Sequence, residues 1–227
     1  MRTVQAYIES KQRELTTHRF FGVLKRLNSL EEINFFVPDL IFWVMVFQDI
    51  LRLNEERVTA PYLRKIAHHH RLEDAGHERW FMHDRNYLSG KSSNSEDIDW
   101  LFGKDTRLAR DPAYALLAEV YKSDSEWLNI VLLMVMESSG HVFFERVVEQ
   151  VQKIGQDRNL KYFSSKHLAA ERSHSLFEEE MERALFAEPL PIGIRSNALK
   201  LVDRCYDAFN KMFDGLLLSC NRRLEPA

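Results

Sequence analysis

Between Ser123 and Gly155 the chain carries a single long apolar segment that includes EWLNIVLLMVMESSGHVFFERVV. Ser123-x-x-Glu126 reads as a capping box and Gly155 as a C-terminal stop, which predicts one helix over residues 126–154. Glu137 interrupts its run of Leu, Met and Val. Burying a carboxylate there costs several kcal/mol unless a charge meets it, so the segment demands either a cation or an Arg or His partner opposite Glu137.

The remaining chain follows the same helical pattern. It has only 8 Gly and 6 Pro and no alternating β-branched runs between turns, which predicts an all-α fold. With 227 residues, 15 Phe and 4 Trp it has enough apolar mass for the core of one domain, residues 1–227. After an amphipathic first helix, a short helix is expected over residues 18–27. Ser29-x-x-Glu32, another capping box, opens a long helix to about residue 56, kinked at Pro38. Thr59 and Pro61 start a helix to Leu88, with Leu63, Ile66, Trp80, Phe81 and Tyr87 at helical spacing. KSSNSED, residues 91–97, reads as a surface loop. Further helices are expected over residues 98–108, from Asp111-Pro112 to 121, over 158–186, and over 196–223 after the linker EPLPIG.

The net charge of -3 and the scattering of Lys and Arg among acids give no basis for nucleic-acid binding. The apolar run over residues 35–50 contains Pro38, Asp39, Gln48 and Asp49, so a core helix is expected rather than a membrane span. The N-terminus lacks the apolar core of a signal peptide. Cys205 and Cys220 stand about 15 residues apart on one expected helix, ~22 Å at its ~1.5 Å rise, too far to bond within it. A reduced, cytoplasmic protein is the corresponding expectation.

Two helices repeat one chemical pattern. His167, Glu171 and His174 lie in H-x3-E-x2-H spacing, and His70, Asp74 and His77 repeat it with an aspartate. At about 100° per residue, steps of four and three return to one helix face. Each triplet therefore aims two imidazoles and a carboxylate at one place, the ligand set of non-haem iron, manganese or zinc. Polar helix faces also carry His and Glu by chance, but seldom in the same triplet twice. Glu137 supplies a third inward acid. His141 and Glu145 are candidates for the same cavity, and Asp49 for a further carboxylate or a hydrogen-bonding role in the core. His68, His69 and Glu73 read as outer-face residues. Asp84 reads as a surface acid or as a partner holding a ligating imidazole. Phe47, Met134, Phe144 and Phe163 are expected to line the cavity or to pack the core. Seven inward ligands exceed what a closed four-coordinate zinc site needs.

These residues resemble the haem-oxygenase-like diiron oxidases and oxygenases, which share the TenA and PqqC fold. The likeness lies in His167, Glu171 and His174 late in the chain, in Glu137 on the preceding long helix, and in Asp74 and His77 within HRLEDAGHERWFMHD; it covers roughly residues 29–182. The resemblance implies a haem-oxygenase-like (TenA-like) helical bundle. It also implies two non-haem irons held by His70, Asp74, His77, Glu137, His167, Glu171 and His174, with O2 as co-substrate and an external electron donor. The implied reaction is oxidation of an amino-acid-like or fatty-acid-like small molecule. Two departures stand out. Family members commonly carry Glu where this chain has His70, and no cysteine matches the TenA nucleophile. Other readings remain open: a ferritin-like four-helix bundle, a cofactorless PqqC-like oxidase, and a non-catalytic metal-binding interaction protein. A homodimer is also left open.

Overall fold

The computed structural model describes residues 1–90, 98–173, 185–187, 189–191 and 193–224, with 98 and 171–173 by backbone alone. The expected loop 91–97 lies outside the described residues. The described residues form helices and no strand. The helices are α1 (Arg2–Leu15), α2 (Arg19–Leu24), α3 (Leu30–Ile33), α4 (Ile41–Arg57), α5 (Pro61–Glu73), α6 (His77–Ser89), α7 (Ile98–Leu101), α8 (Arg107–Lys122), α9 (Glu126–Lys153), α10 (Ser165–Ser173) and α11 (Ile194–Leu224).

The long apolar helix is the centre, as its composition requires. Every residue of α9 from Leu128 to Met136 is buried, and α1, α2, α4, α5, α8, α10 and α11 all pack on it. A helix apolar on all sides is stable only when surrounded in this way. By length and composition alone α9 and the segment Leu30–Arg57 would suffice to cross a membrane, but most of α9's apolar surface is covered by its neighbours. The core runs from Met1, the N-cap of α1, and Val4 to Leu217 and Cys220 of the last helix.

Several expected elements are divided or shifted. The helix expected over residues 29–56 is three pieces: α3, a 3-10 turn Val37–Leu40, and α4. Pro38 donates no N–H and its ring crowds the preceding turn, so the chain breaks there instead of kinking. Ser29 still caps α3, accepting from the Glu32 amide at 3.2 Å. The helix expected over residues 61–88 breaks at Gly76, whose φ of +96° is strained for a side-chain-bearing residue. This break sets α5 and α6 as two arms of a corner. α8 begins at Arg107, and Pro112 lies inside it instead of opening it. Pro112 removes the N–H that would bond the Leu108 carbonyl, and at that turn α11 comes close: a Cβ on Gly215 would meet Leu108 atoms at 3.0 Å.

The Ser123-x-x-Glu126 capping box does not form. Ser125 is the N-cap of α9 without a side-chain bond. The Glu126 carboxylate instead reaches across to the start of α5, accepting from the Thr59 hydroxyl and, at 2.8 Å, from the Ala60 amide. The helix expected over residues 158–186 starts later, at Ser165, where Asp157 accepts from the Ser165 amide and hydroxyl, each at 2.6 Å.

Candidate metal centre

The corner between α5 and α6 and the middle of α9 build one cluster, buried at His70, Asp74 and His77 and half-buried at Glu137. His70 sits in the last turn of α5, Asp74 is its C-cap residue, and His77 opens α6. Gln48 of α4 donates to the Asp74 carbonyl at 3.1 Å and so ties the corner to a third helix. Asp74 faces both arms. Its Oδ2 lies 3.0 Å from His70 Nε2 and its Oδ1 lies 3.1 Å from His77 Nδ1. Glu137 enters from α9 with Oε2 at 3.5 Å from His70 Nε2. One ligand atom from each of His70, Asp74 and Glu137 falls within 4.8 Å of the others, the only such trio among the described residues.

His167 joins from α10. Its Nε2 lies 3.3 Å from His77 Nδ1, and its Nδ1 donates to the Tyr162 carbonyl at 2.6 Å. A carbonyl has no hydrogen to give, so Nδ1 carries the proton and Nε2 presents its lone pair to His77. Aromatic rings enclose this imidazole: Phe144 at 4.6 Å, Tyr162 at 5.0 Å and Trp80 at 5.3 Å, while Trp80 also stacks on His77 at 4.7 Å.

The electrostatics follow from burial. Burial alone would push the His70 pKa down, but Asp74 and Glu137 outweigh it and raise it to about 10. Burial likewise disfavours the Asp74 carboxylate, and the two imidazoles overcome this and hold its carboxyl well below the usual range. Despite those short approaches, neither ring nitrogen of His70 makes a hydrogen bond of acceptable direction. A buried imidazole with both nitrogens unbonded is uncommon. A cation held among the three side chains would use the Nε2 lone pair and displace its proton.

Beside the cluster lies a cavity of about 30 Å³, with Trp43, Phe47, Met136, Gly140 and Phe144 among its walls. That is room for about two waters. Phe47 and Phe144 line it as expected, whereas Met134 and Phe163 are core residues away from it.

The structure thus gathers His70, Asp74 and Glu137, adds His77 through the second oxygen of Asp74, and brings His167 against His77. Glu171 and His174 lie outside the described side chains. The other candidates go elsewhere. Asp49 is exposed and pairs with Arg52 at 3.3 Å, so it supplies no carboxylate to the centre. His141 and Glu145 pair with each other at 3.2 Å and do not line the cavity. His68 is exposed as expected and pairs with Glu55, whereas His69 and Glu73 are half-buried and pair with each other. Cys205 and Cys220 are buried free thiols, and burial pushes the Cys220 pKa up to about 12.

Asp84 is the residue whose role the sequence reading left open. It is fully buried, not a surface acid, and its carboxylate accepts from the amides of Lys161, Tyr162 and Phe163. A signal was present: Phe81, Asp84 and Leu88 share one buried stripe of α6. Comparison with known proteins finds no family model that matches the chain and no curated protein similar to it.

Proposed function

We propose that this chain is a non-haem iron-dependent oxidase or oxygenase, built as a haem-oxygenase-like helical bundle, that activates O2 at a two-iron site to oxidise a small molecule. One observation supports this reading most. In a buried cluster, Asp74 divides its two oxygens between His70 and His77 while both nitrogens of His70 go without a hydrogen bond. Imidazole and carboxylate donors suit iron, and a carboxylate facing a different imidazole with each oxygen suits two cations. When bound, iron supplies the electron transfer to O2 that no side chain here provides.

The chain's own residues do the rest. His70 faces one oxygen of Asp74 and the carboxylate of Glu137, and His77 faces the other oxygen of Asp74, with His167 beside it. Gln48 fixes the Asp74 backbone. Trp43, Phe47 and Phe144 supply the apolar part of the cavity wall, beside the polar groups of Asp74, His77, Glu137 and His167. The resemblance extends the ligand set to Glu171 and His174 and the substrate class to amino-acid-like or fatty-acid-like molecules, with electrons from an external donor.

A cofactorless oxidase is the second reading, and one observation favours it. A protonated His70 between Asp74 and Glu137 meets both carboxylates and offsets part of their charge without a metal.

Anaerobic reconstitution with ferrous iron, elemental analysis and then O2 exposure separate these readings. The expected result is two irons per chain, O2 consumption, and loss of both in His70→Ala and Asp74→Ala. A wild-type protein that retains no iron refutes the two-iron reading and leaves the cofactorless one. Iron that binds without O2 consumption leaves a non-catalytic metal-binding protein.

A further inference from the structure

The peptide unit joining Tyr162 to Phe163 is bonded at both ends by buried side chains. Its carbonyl accepts from His167 Nδ1 at 2.6 Å, and its N–H, on Phe163, donates to Asp84 Oδ2 at 3.0 Å. The same oxygen accepts from the Tyr162 amide at 2.7 Å, and Oδ1 accepts from the Lys161 amide at 2.8 Å. Three successive amides on one carboxylate form an anion-holding concavity, here occupied by the protein's own side chain. The remaining contact on Asp84 comes from the neighbouring His83, whose Nδ1 lies 2.9 Å from Oδ1.

We propose that Asp84 is a positioning residue that sets the tautomer and orientation of His167 through this peptide unit. The inference rests on the reading of His167 as a metal ligand. Metal-binding imidazoles commonly donate their far N–H to a carboxylate or a carbonyl, which fixes the tautomer and strengthens the nitrogen facing the metal. Here both partners act in series. The charge of Asp84 polarises the amide, the polarised carbonyl becomes a stronger acceptor, and Nδ1–H is held so that Nε2 points toward His77. The clamp also explains the placement. Residues 160–164 form no regular helix, yet they deliver Tyr162 and then α10 against the cluster. Without the carboxylate, three backbone N–H groups, two of them buried, would lose their partner and the carbonyl its fixed direction.

The test uses metal-free protein labelled with 15N in histidine, with the His167 resonances assigned by their loss in His167→Gln. In the wild type, His167 is expected in the Nδ1–H form. In Asp84→Asn, which keeps the volume but puts an NH2 against backbone donors, the Nε2–H form is expected to appear. Ferrous or manganous ion is expected to bind that variant about 10–100-fold more weakly. A wild-type His167 in the Nε2–H form overturns the proposal and needs no variant, so poor folding of Asp84→Asn cannot shield it. An unchanged tautomer in a folded Asp84→Asn also overturns it. A tautomer change in a protein that binds no metal supports the positioning role while refuting the metal reading, so the two fail separately.

Discussion

Gly140 and Gly76 border the same centre, and replacing each with alanine is expected to act in opposite directions. Gly140 lies within α9, and a Cβ built there meets no atom within 4 Å. In a helix interior Gly→Ala removes backbone freedom from the unfolded chain and stabilises by roughly 0.5–1 kcal/mol. For a chain of this size that raises Tm by roughly 1–4 °C. Gly76 has the same empty surroundings, but its φ is +96°. Gly76→Ala therefore meets only backbone strain, costing about 1–2 kcal/mol. The local cost falls differently too. Gly140 borders the cavity of about 30 Å³, so its new methyl takes about one of the two water-sized places. Gly140→Ala is thus expected to be more stable and to bind azide more weakly in the ferric-loaded protein. Thermal and urea unfolding of the two variants, with azide titration by absorbance, measure all three effects. A Gly140→Ala protein that melts below the wild type would refute the packing described around α9.

Two further changes probe single contacts. His18 caps α2 by accepting from the Phe20 amide at 3.2 Å, and its Nε2 lies 3.4 Å from Asp214. Burial holds its pKa below the ordinary value against the opposing pull of Asp214. The unfolded chain then binds the proton more readily, so this contribution is complete above pH ~6.5 and is lost as pH falls through the folded value. His18→Asn keeps a capping side chain without the titration, and the gap between its urea midpoint and the wild type's should change between pH 7 and 5. Parallel midpoints over that range would count against the cap. Glu126→Ala should cost about 0.5–2 kcal/mol through the start of α5, and Ser123→Ala markedly less. Equal losses would restore the local capping box.

The helical nature of the chain is readable because it rests on local signals. Ser29 caps α3, and Gly155 stops α9 with φ +73°. The divisions fail to show where distant residues decide. Apolar residues at helical spacing recur on both sides of the break, at Leu63 and Ile66 and again at Phe81, because α5 and α6 face one core from both sides of the corner. That recurrence hides the break that Ala75-Gly76 makes. Glu126 satisfies the spacing of a box, but Thr59 and Ala60, far away in sequence, offer the donors it takes. Pro112 reads as a helix start by its usual preference, yet the helix continues on both sides of it, beside the close approach at Gly215.

The candidate site divides along the same line. The residue types in the two triplets and at Glu137 point to a buried polar cluster, and His70, Asp74 and Glu137 do meet. Spacing alone cannot say that Asp74 would split its oxygens between two imidazoles, or that His77 and His167, from different triplets, would stand 3.3 Å apart. The first depends on the corner that Gly76 makes between α5 and α6, and the second on how α6 and α10 are held against each other. Asp84 does this, and the reasoning that singles out Glu137 applies to it equally. An acid on an apolar stripe must be met by something or it will not be buried. Glu137 is met by His70, and Asp84 by three amides of the segment leading into α10. One acid belongs to the centre and the other fixes the segment that completes it. What separates them is the identity of the partner, which only the folded chain reveals.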